Sequence, residues 1–300
     1  MVRGETAVAA IRKGLAEKSF DACLLSFMLL VIVITLYPFL YVVSMSISDP
    51  EYVINNSVWL WPKGLSLEAY KRVFDNPDVW RSYYNTLYYT IIGTAINVTM
   101  TLLGAYPLAR KTFFLRKQLM VFIVITMFFS GGLIPMFLLV RNIGLYDTRW
   151  AILLPAAVGA YFIIIARTFL QGLPESLIES AKIDGANDIY ILYKIILPLS
   201  KPILAVLSLF YAVGHWNSYF SAMIYLSDPS LHPMSLYLVK ILIQNSAALV
   251  QEMAQDINRT MYAIQIKYAL IIVTVLPILF VYPFLQKYFV KGVLIGSLKE

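Results

Sequence analysis

The sequence predicts an all-α membrane protein with six transmembrane helices, from its composition and from its charge-free stretches. Hydrophobic residues make up 60% of the 300 residues and charged residues 14%, whereas a soluble domain carries about 25% charged residues. The mean hydropathy is +0.72. A hydrocarbon core about 30 Å thick needs roughly 20 residues of helix. Six stretches without Asp, Glu, Lys or Arg approach or exceed that length: 22–48, 82–109, 118–140, 150–166, 202–227 and 268–286.

The predicted spans differ in their ends and interruptions. Pro38 kinks the first span near the outer surface, and the tyrosines that open the second form either an interfacial aromatic belt or a stacking surface for a ligand. The third contains F-S-G-G-L-I-P from Phe129 to Pro135. This weak point is either a break that lines a path through the membrane or a site of close helix packing. The fourth span is short, so Arg149 and Arg167 are expected to snorkel at its ends.

Basic residues set the expected orientation. The net charge is +7, and the whole excess lies on one side of the membrane if the N-terminus is cytoplasmic. Residues 110–117 alone include four basic side chains, as the positive-inside rule predicts for a cytoplasmic loop. The charge therefore reflects topology, and no nucleic-acid partner is predicted. The expected organisation is a cytoplasmic segment 1–21, a six-helix transmembrane domain 22–286 with outer loops 49–81 and 228–267, and a cytoplasmic tail 287–300.

A polar segment at 174–200 separates the fourth and fifth spans on the cytoplasmic side. Pro174 suits the start of a helix. Gly185 can adopt a positive φ, so the chain can leave that helix sharply. Asn187 or Asp188 can cap a second helix, whose apolar residues recur at helical spacing up to Pro198. The sequence therefore predicts a helix, a turn and a second helix held at the membrane surface.

The spacing in this segment resembles that of a known family. Glu179, Ala181 and Gly185 are followed by the I-x-L-P phrase that ends at Pro198. This is the pattern of the EAA loop in the permeases of binding-protein-dependent ABC importers, although Ser180 replaces the first Ala. The resemblance implies the type I ABC importer permease fold, with this loop seated in a groove of a cytoplasmic ATPase. The residues predicted to couple to the ATPase are Glu179, Ala181, Asp184, Gly185, Ala186, Ile195, Leu197 and Pro198.

Other phrases resemble the carbohydrate branch of these permeases. They are W-P followed by S-L-E-A-Y-K-R-V-F at 61–74, A-Y-P-L-A-R at 105–110 and F-S-G-G-L-I-P at 129–135. The last phrase resembles permeases for oligosaccharides and polysaccharide fragments, so an alginate-type fragment is one candidate substrate. The C-terminal F-V-K-G-x-x-x-G-x-x-K pattern resembles the tail of the maltose-type second permease of a heterodimer, which touches the ATPase. Lys291, Gly292 and Gly296 are therefore predicted ATPase contacts, unless the tail is a membrane anchor.

The fifth span carries the most polar cluster of the membrane region. His215, Trp216, Asn217 and Tyr219 combine hydrogen-bonding groups with ring faces, and a hydroxyl-rich sugar needs both. Polar residues at this depth face a cavity or a partner, so the cluster is either part of a substrate path or a packing contact. Asp147 is expected to cap the fourth span. Part of the long outer loop, at 243–258, is expected to reach into an opened sugar-binding protein.

Several other functional classes lack their motifs in this sequence. There is no G-x-x-x-x-G-K-[ST] loop, so no cofactor is expected on this chain, and ATP and Mg are expected on partner ATPase subunits. The sequence has only two histidines and one cysteine, so no metal site is expected. It also lacks the paired carboxylates or the nucleophile constellation that an enzyme would need. The absence of carboxylates inside the spans disfavours an ion-coupled transporter. The alternative to an importer is an ion-independent secondary transporter or a channel for small polar solutes.

The resemblance also implies partners and a location. We expect the chain to couple ATP hydrolysis by separate ATPase subunits to oligosaccharide translocation by alternating access, in the bacterial inner membrane with both termini cytoplasmic. The expected partners are a second homologous permease subunit, a homodimeric ATP-binding cassette ATPase, a periplasmic or extracellular sugar-binding protein, the oligosaccharide and membrane lipid.

Overall fold

The computed structural model describes residues 14–243, 264–281 and 283, and within these ranges the chain is helical. The only β-type contact there is an isolated bridge between Ser48 and Leu65, so the all-α prediction is confirmed. The helices are α1 (Leu15–Ile47), α2 (Pro50–Ile54), α3 (Glu68–Asp75), α4 (Pro77–Ala109), α5 (Arg116–Phe128), α6 (Leu133–Asn142), α7 (Trp150–Leu153), α8 (Ala160–Gln171), α9 (Glu175–Ile183), α10 (Asp188–Tyr190), α11 (Leu197–Leu199), α12 (Lys201–Trp216), α13 (Phe220–Tyr225), α14 (Met234–Ile243) and α15 (Ile264–Val281). A π-helix, Ile191–Ile196, joins α10 to α11, and a 3-10 turn, Pro229–Leu231, precedes α14.

Three of these helices, α1, α4 and α15, are long and apolar enough to cross a membrane. The number rises to five among the described residues if each of two bent helix pairs is counted as one span. Residues 15–40 of α1 are exposed, although from residue 22 onward that helix is apolar on every side. A helix of this kind is stable only against lipid or another subunit, which agrees with a membrane-spanning role.

The third predicted span is broken where its glycines lie. The α5 and α6 helices meet at 113°, and Gly132 in the connection has a φ of +86°. A side chain is unfavourable in that backbone conformation, which explains why glycine occupies it. The sequence left this phrase open between a break and close packing, and the structure contains the break.

The fourth and fifth predicted spans are not continuous helices either. The short α7 ends at Leu153, and α8 begins only at Ala160, after a connection that contains Pro155 and Gly159. Proline lacks the N–H that continues a helix, so the interruption follows the sequence. The fifth stretch is divided between α12 and α13 at residues 217–219. The fourth and fifth charge-free stretches therefore each contain two helices.

The core of the bundle is built from α4, α8 and α12. Buried residues of these helices form one apolar cluster that continues into the 174–200 segment. Inside it the Tyr211 hydroxyl lies 2.7 Å from the Thr101 hydroxyl, which satisfies two buried polar groups. The same three helices thus support both the membrane region and the polar loop.

A second polar contact ties α12 to α4 further along the bundle. The Nε2 atom of His215 lies 2.6 Å from Oδ1 of Asn97, and the Asn97 amide donates to the carbonyl of Ala156. This contact forms where His215 packs directly over Gly93 of α4. Because Gly93 has no Cβ, the ring can approach the helix backbone.

Candidate coupling site

The first helix of the 174–200 segment, α9, has one buried side. It begins at Glu175, after Pro174. Ile178 and Ala181 are buried against the bundle, whereas Glu179 on the same helix is exposed. The spacing of three residues between the two buried positions places them on one face of the helix, so α9 lies flat with its polar side outward.

Gly185 ends α9 with a complete C-terminal cap. Its φ is +81°, and its N–H donates to the carbonyl of Lys182 at 3.0 Å. The N–H of Ala186 donates to the carbonyl of Ala181 at 2.9 Å. These two bonds form the Schellman motif, which satisfies carbonyls that the helix end leaves free. A Cβ at Gly185 would meet nothing within 4 Å, so the backbone conformation, rather than lack of space, requires glycine there.

The second helix begins with a side-chain cap on the next turn. The Oδ1 atom of Asn187 accepts a hydrogen bond from the N–H of Tyr190 at 2.8 Å, so Asn187 is the cap. Asp188 instead lies 3.6 Å from the Lys182 ammonium. That ion pair joins the two helices across the turn and restricts the angle between them.

The chain returns to the membrane through the π-helix. Ile191, Leu192 and Ile196 are buried in the same cluster as the α4, α8 and α12 residues. Pro198 follows this segment and has no N–H to bond the carbonyl four residues earlier, which favours a wider local helix at that point. The inner side of the loop is therefore packed into the bundle along most of its length.

The outer side of the loop presents apolar as well as charged groups. Ile183 is 86% exposed and Ile189 is 70% exposed. Between the two helices lies a notch of about 570 Å³. Its walls include Ala181, Asp184, Gly185, Asn187, Tyr190 and Lys194.

The structure separates the predicted coupling residues into two groups. Ala181 is buried, and Ala186, Ile195 and Leu197 are partly buried against the same cluster, so these four hold the loop in place. The members with exposed side chains or backbone are Glu179, Asp184, Gly185 and Pro198.

The basic loop at 110–117 lies beside α9. The Lys111 ammonium is 2.7 Å from a carboxylate oxygen of Glu175, and this hydrogen bond and charge hold the pKa of Glu175 below its ordinary value. Arg167 Nε also donates to the carbonyl of Leu108 at 3.1 Å. The basic loop and the 174–200 segment therefore occupy the same face of the bundle.

The four predicted substrate-path residues lie in two environments. His215 bonds to Asn97, as described above, and Trp216 donates from its indole nitrogen to the carbonyl of Thr274 at 3.4 Å. Both are buried. Asn217 and Tyr219 are exposed on the surface of the single chain.

At the opposite end of α4, Asp147 has a different role from the expected cap of the fourth span. One of its carboxylate oxygens accepts the N–H groups of Ser227 and Asp228 at 2.8 and 2.9 Å. It thus joins the short 141–149 turn to the chain after α13. The long sequence separation between these partners gives no local signal from which the contact could have been found.

Some predicted functional residues lie outside the described ranges. They are Lys291, Gly292 and Gly296 of the tail, and residues 244–258 of the outer segment expected to enter a binding protein.

Comparison with known proteins decides the family. Residues 97–295 match the family described as binding-protein-dependent transport system inner membrane component. The chain belongs to this family. It is the permease component of a binding-protein-dependent ABC importer, and the resemblance of the 174–200 segment to the EAA loop is explained by that membership.

The relatives of this permease cover nearly its whole length. It is 41% identical to the polygalacturonan/rhamnogalacturonan transport system permease protein YtcP of Bacillus subtilis, over 94% of this chain and 99% of that protein. It is also 41% identical to Protein LplC of Bacillus subtilis, over 95% and 96% of the two chains. Both relatives therefore match this chain over nearly their whole length.

A solved structure shares the fold of this permease. The chain superposes with a TM-score of 0.88 and 34% identity on a chain from a bacterial ABC transporter involved in the import of the acidic polysaccharide alginate. The match covers 92% of this chain and 99% of the other. The breaks in the third, fourth and fifth spans therefore belong to an importer permease fold.

Proposed function

We propose that this permease imports oligosaccharide fragments of acidic polysaccharides and that the 174–200 segment couples it to an ATPase. The substrate class is supported by two relatives whose names refer to uronate-containing polymers, polygalacturonan and alginate. The sequence phrases of the carbohydrate branch agree with it. A small soluble sugar is therefore not the expected cargo.

The proposal includes the partners that such an importer needs. A second homologous permease completes the membrane pathway and covers the exposed apolar surface of the bundle. A homodimeric ATPase binds ATP and Mg on the cytoplasmic side, where both termini of this chain lie, and a sugar-binding protein delivers the cargo on the other side. Asn217 and Tyr219 are the path residues available to contact the sugar.

The two-sided packing of the 174–200 segment is the observation that supports coupling. Its inner side is fixed to α4, α8 and α12 through buried residues such as Ile191 and Ile196. Its outer side exposes Ile183 and Ile189, two large apolar side chains that a partner subunit would cover. A force on the outer side would therefore reach the membrane helices directly.

Cysteine cross-linking tests this contact. The single cysteine, Cys23, is exposed, so Cys23→Ser provides a cysteine-free background. Ile189→Cys should then form a cross-link to a cysteine placed in the ATPase groove, because Ile189 lies on the outer side. Ile191→Cys is the matched control, since Ile191 is fully buried only two residues away.

Cross-linking is measured in the complex purified from native membranes. Cross-linking at Ile189 and at Ile183→Cys, with none at Ile191→Cys, supports the coupling proposal. If neither exposed position cross-links while the ATPase co-purifies, the 174–200 segment is not the contact. A chain that purifies with no ATPase at all would contradict the proposed importer itself.

A further inference from the structure

Arg149 lies over two aromatic rings at the end of α4 opposite the 174–200 segment, which is called the coupling segment from here on. Its guanidinium carbon lies 4.6 Å from the centre of the Tyr88 ring and 5.6 Å from that of Tyr84. Tyr84 is 59% exposed, and Arg149 and Tyr88 are half-buried. A cation over aromatic faces is attracted by their negative electrostatic potential, so this group of three forms a positively charged aromatic surface.

A buried amide fixes the orientation of the guanidinium. The Nη2 atom of Arg149 donates to Oδ1 of Asn85 at 3.3 Å. Asn85 is only 1% exposed, and its Nδ2 donates to the carbonyls of Ser230 and His232 at 2.7 and 3.2 Å. Asn85 therefore cannot turn without losing two bonds, and Arg149 is held in a defined position.

Arg149 has no carboxylate partner among the described residues. The nearby Asp147 carboxylate accepts backbone N–H groups from the 227–228 segment. The Asp228 carboxylate accepts from the N–H and hydroxyl of Ser230. Arginine has five N–H donors, and within the described ranges only one of those on Arg149 is used. No carboxylate of the described residues neutralises the fixed guanidinium, so it is available to the carboxylate of a ligand.

We propose that Arg149, Tyr84 and Tyr88 form a subsite for a uronic acid residue of the transported oligosaccharide. Arginine binds a carboxylate through two parallel N–H···O bonds, and the tyrosine rings offer apolar faces to the C–H groups of the sugar ring. This inference rests on the proposed substrate class. It adds a site on this permease that distinguishes an acidic sugar from a neutral one.

The location of this uronate subsite agrees with delivery of the sugar. Twenty-five positions of α4 separate Tyr84 from Ala109, which is about 37 Å along a helix. The coupling segment packs at the Ala109 end. The subsite therefore lies on the membrane face away from the ATPase, where a binding protein releases its cargo.

Reconstitution of the complete importer tests the uronate subsite. The importer, with its second permease, ATPase and binding protein, is placed in liposomes, and uptake of trigalacturonate and ATP hydrolysis are measured together. Arg149→Gln should lower uptake about tenfold, the effect of losing one charge-assisted contact, while ATP hydrolysis stimulated by the loaded binding protein changes less than twofold. Tyr84→Ala should lower uptake severalfold in the same way.

Arg81→Gln is the matched control. Arg81 lies near the same end of α4 but pairs with Asp78 at 3.0 Å on the exposed surface, so its loss removes the same charge without touching the subsite. Its uptake should equal that of the wild type. Arg149→Lys should recover part of the uptake, because lysine keeps the charge but lacks the planar pair of donors.

Each other outcome overturns a specific claim. If Arg149→Gln transports like Arg81→Gln, or if uptake and ATP hydrolysis fall in parallel, Arg149 has a docking or structural role and the subsite is wrong. If Arg149→Gln does not assemble, Tyr84→Ala decides, because removal of an exposed ring leaves the fold intact. A wild-type importer that takes up neither trigalacturonate nor a mannuronate trisaccharide contradicts the proposed substrate class instead.

Discussion

Replacing Gly93 with alanine should destabilise the bundle through a single steric contact. A Cβ at this position would lie 2.4 Å from Nε2 of His215 and 2.5 Å from its Cε1, far inside van der Waals contact. The ring cannot move away freely, because His215 is hydrogen-bonded to Asn97. Overpacking of this kind costs about 1–3 kcal/mol, and a broken hydrogen bond adds about 1 kcal/mol. The better helix propensity of alanine offsets about 1 kcal/mol, so a net loss of about 1–3 kcal/mol is expected.

Without the His215 imidazole, Gly93→Ala should stabilise the bundle instead of destabilising it. In a His215→Ala background the new methyl group at position 93 meets no imidazole, so only the gain in helix propensity remains. The difference between the two backgrounds is a coupling energy of about 2–4 kcal/mol. Gly104→Ala is the control on the same helix, since its Cβ would lie at an ordinary 3.6 Å from Ile163.

The assay is the apparent melting temperature of the purified importer in detergent, measured for both single variants, the double variant and the control. Gly93→Ala should melt several degrees below the wild type, whereas Gly104→Ala should not. If Gly93→Ala lowers the melting temperature equally with and without His215, the contact is not the cause. If it lowers nothing, the close approach of α4 and α12 at this point is wrong.

Two further predictions concern the loops. Gly185→Val should abolish most transport while the amount of chain in the membrane stays unchanged, and Gly185→Asn should keep most of the transport. The reason is that a left-handed backbone costs a branched residue about 1–2 kcal/mol but is tolerated by asparagine. Equal uptake by both variants would refute the reasoning. His232 accepts from the Lys240 ammonium at 3.2 Å, and burial and that cation hold its pKa below the ordinary value of 6.5, against the opposite effect of Asp228 and Asp147. The contribution of His232 to stability is therefore complete above pH 6.5 and is lost as the pH falls below that value. The melting temperature should fall between pH 7.5 and 5.5, and it should fall less in Lys240→Met. An identical dependence of the melting temperature on pH in both proteins would contradict the contact between Lys240 and His232.

Local signals in the sequence predicted the turn at Gly185 and limited two other features to two alternatives each. The cap was left open between Asn187 and Asp188, and the phrase around Gly132 between a break and close packing. All three features depend on residues close in sequence, whose backbone preferences act locally. The same reasoning could have found the break before α8, since Pro155 lies inside the predicted fourth span. The length of a charge-free stretch alone does not indicate whether the stretch forms one continuous helix.

Contacts between distant elements could not be predicted in this way. Asp147 was expected to cap its own helix, but it binds N–H groups about 80 positions away in the sequence. No local sequence pattern indicates that contact. The polarity of His215 indicated a functional position in the membrane, yet polarity does not specify which helix faces the side chain. The group of Arg149, Tyr84 and Tyr88 was also missed, because the tyrosines were considered only as an interfacial belt or a stacking surface and the arginine only as a snorkelling end.

The near-perpendicular connection between the coupling segment and α12 has a geometric consequence. The two meet at 83°, at the buried Ser200, and the 16 residues of α12 are about 24 Å long. A tilt of about 5° at Ser200 would therefore displace the far end of α12 by about 2 Å. His215 lies at that end, and its hydrogen bond to Asn97 could not survive such a displacement unless α4 moved with it. If an ATPase moves the 174–200 segment as proposed, α12 and α4 therefore move together, because the hydrogen bond between His215 and Asn97 links them.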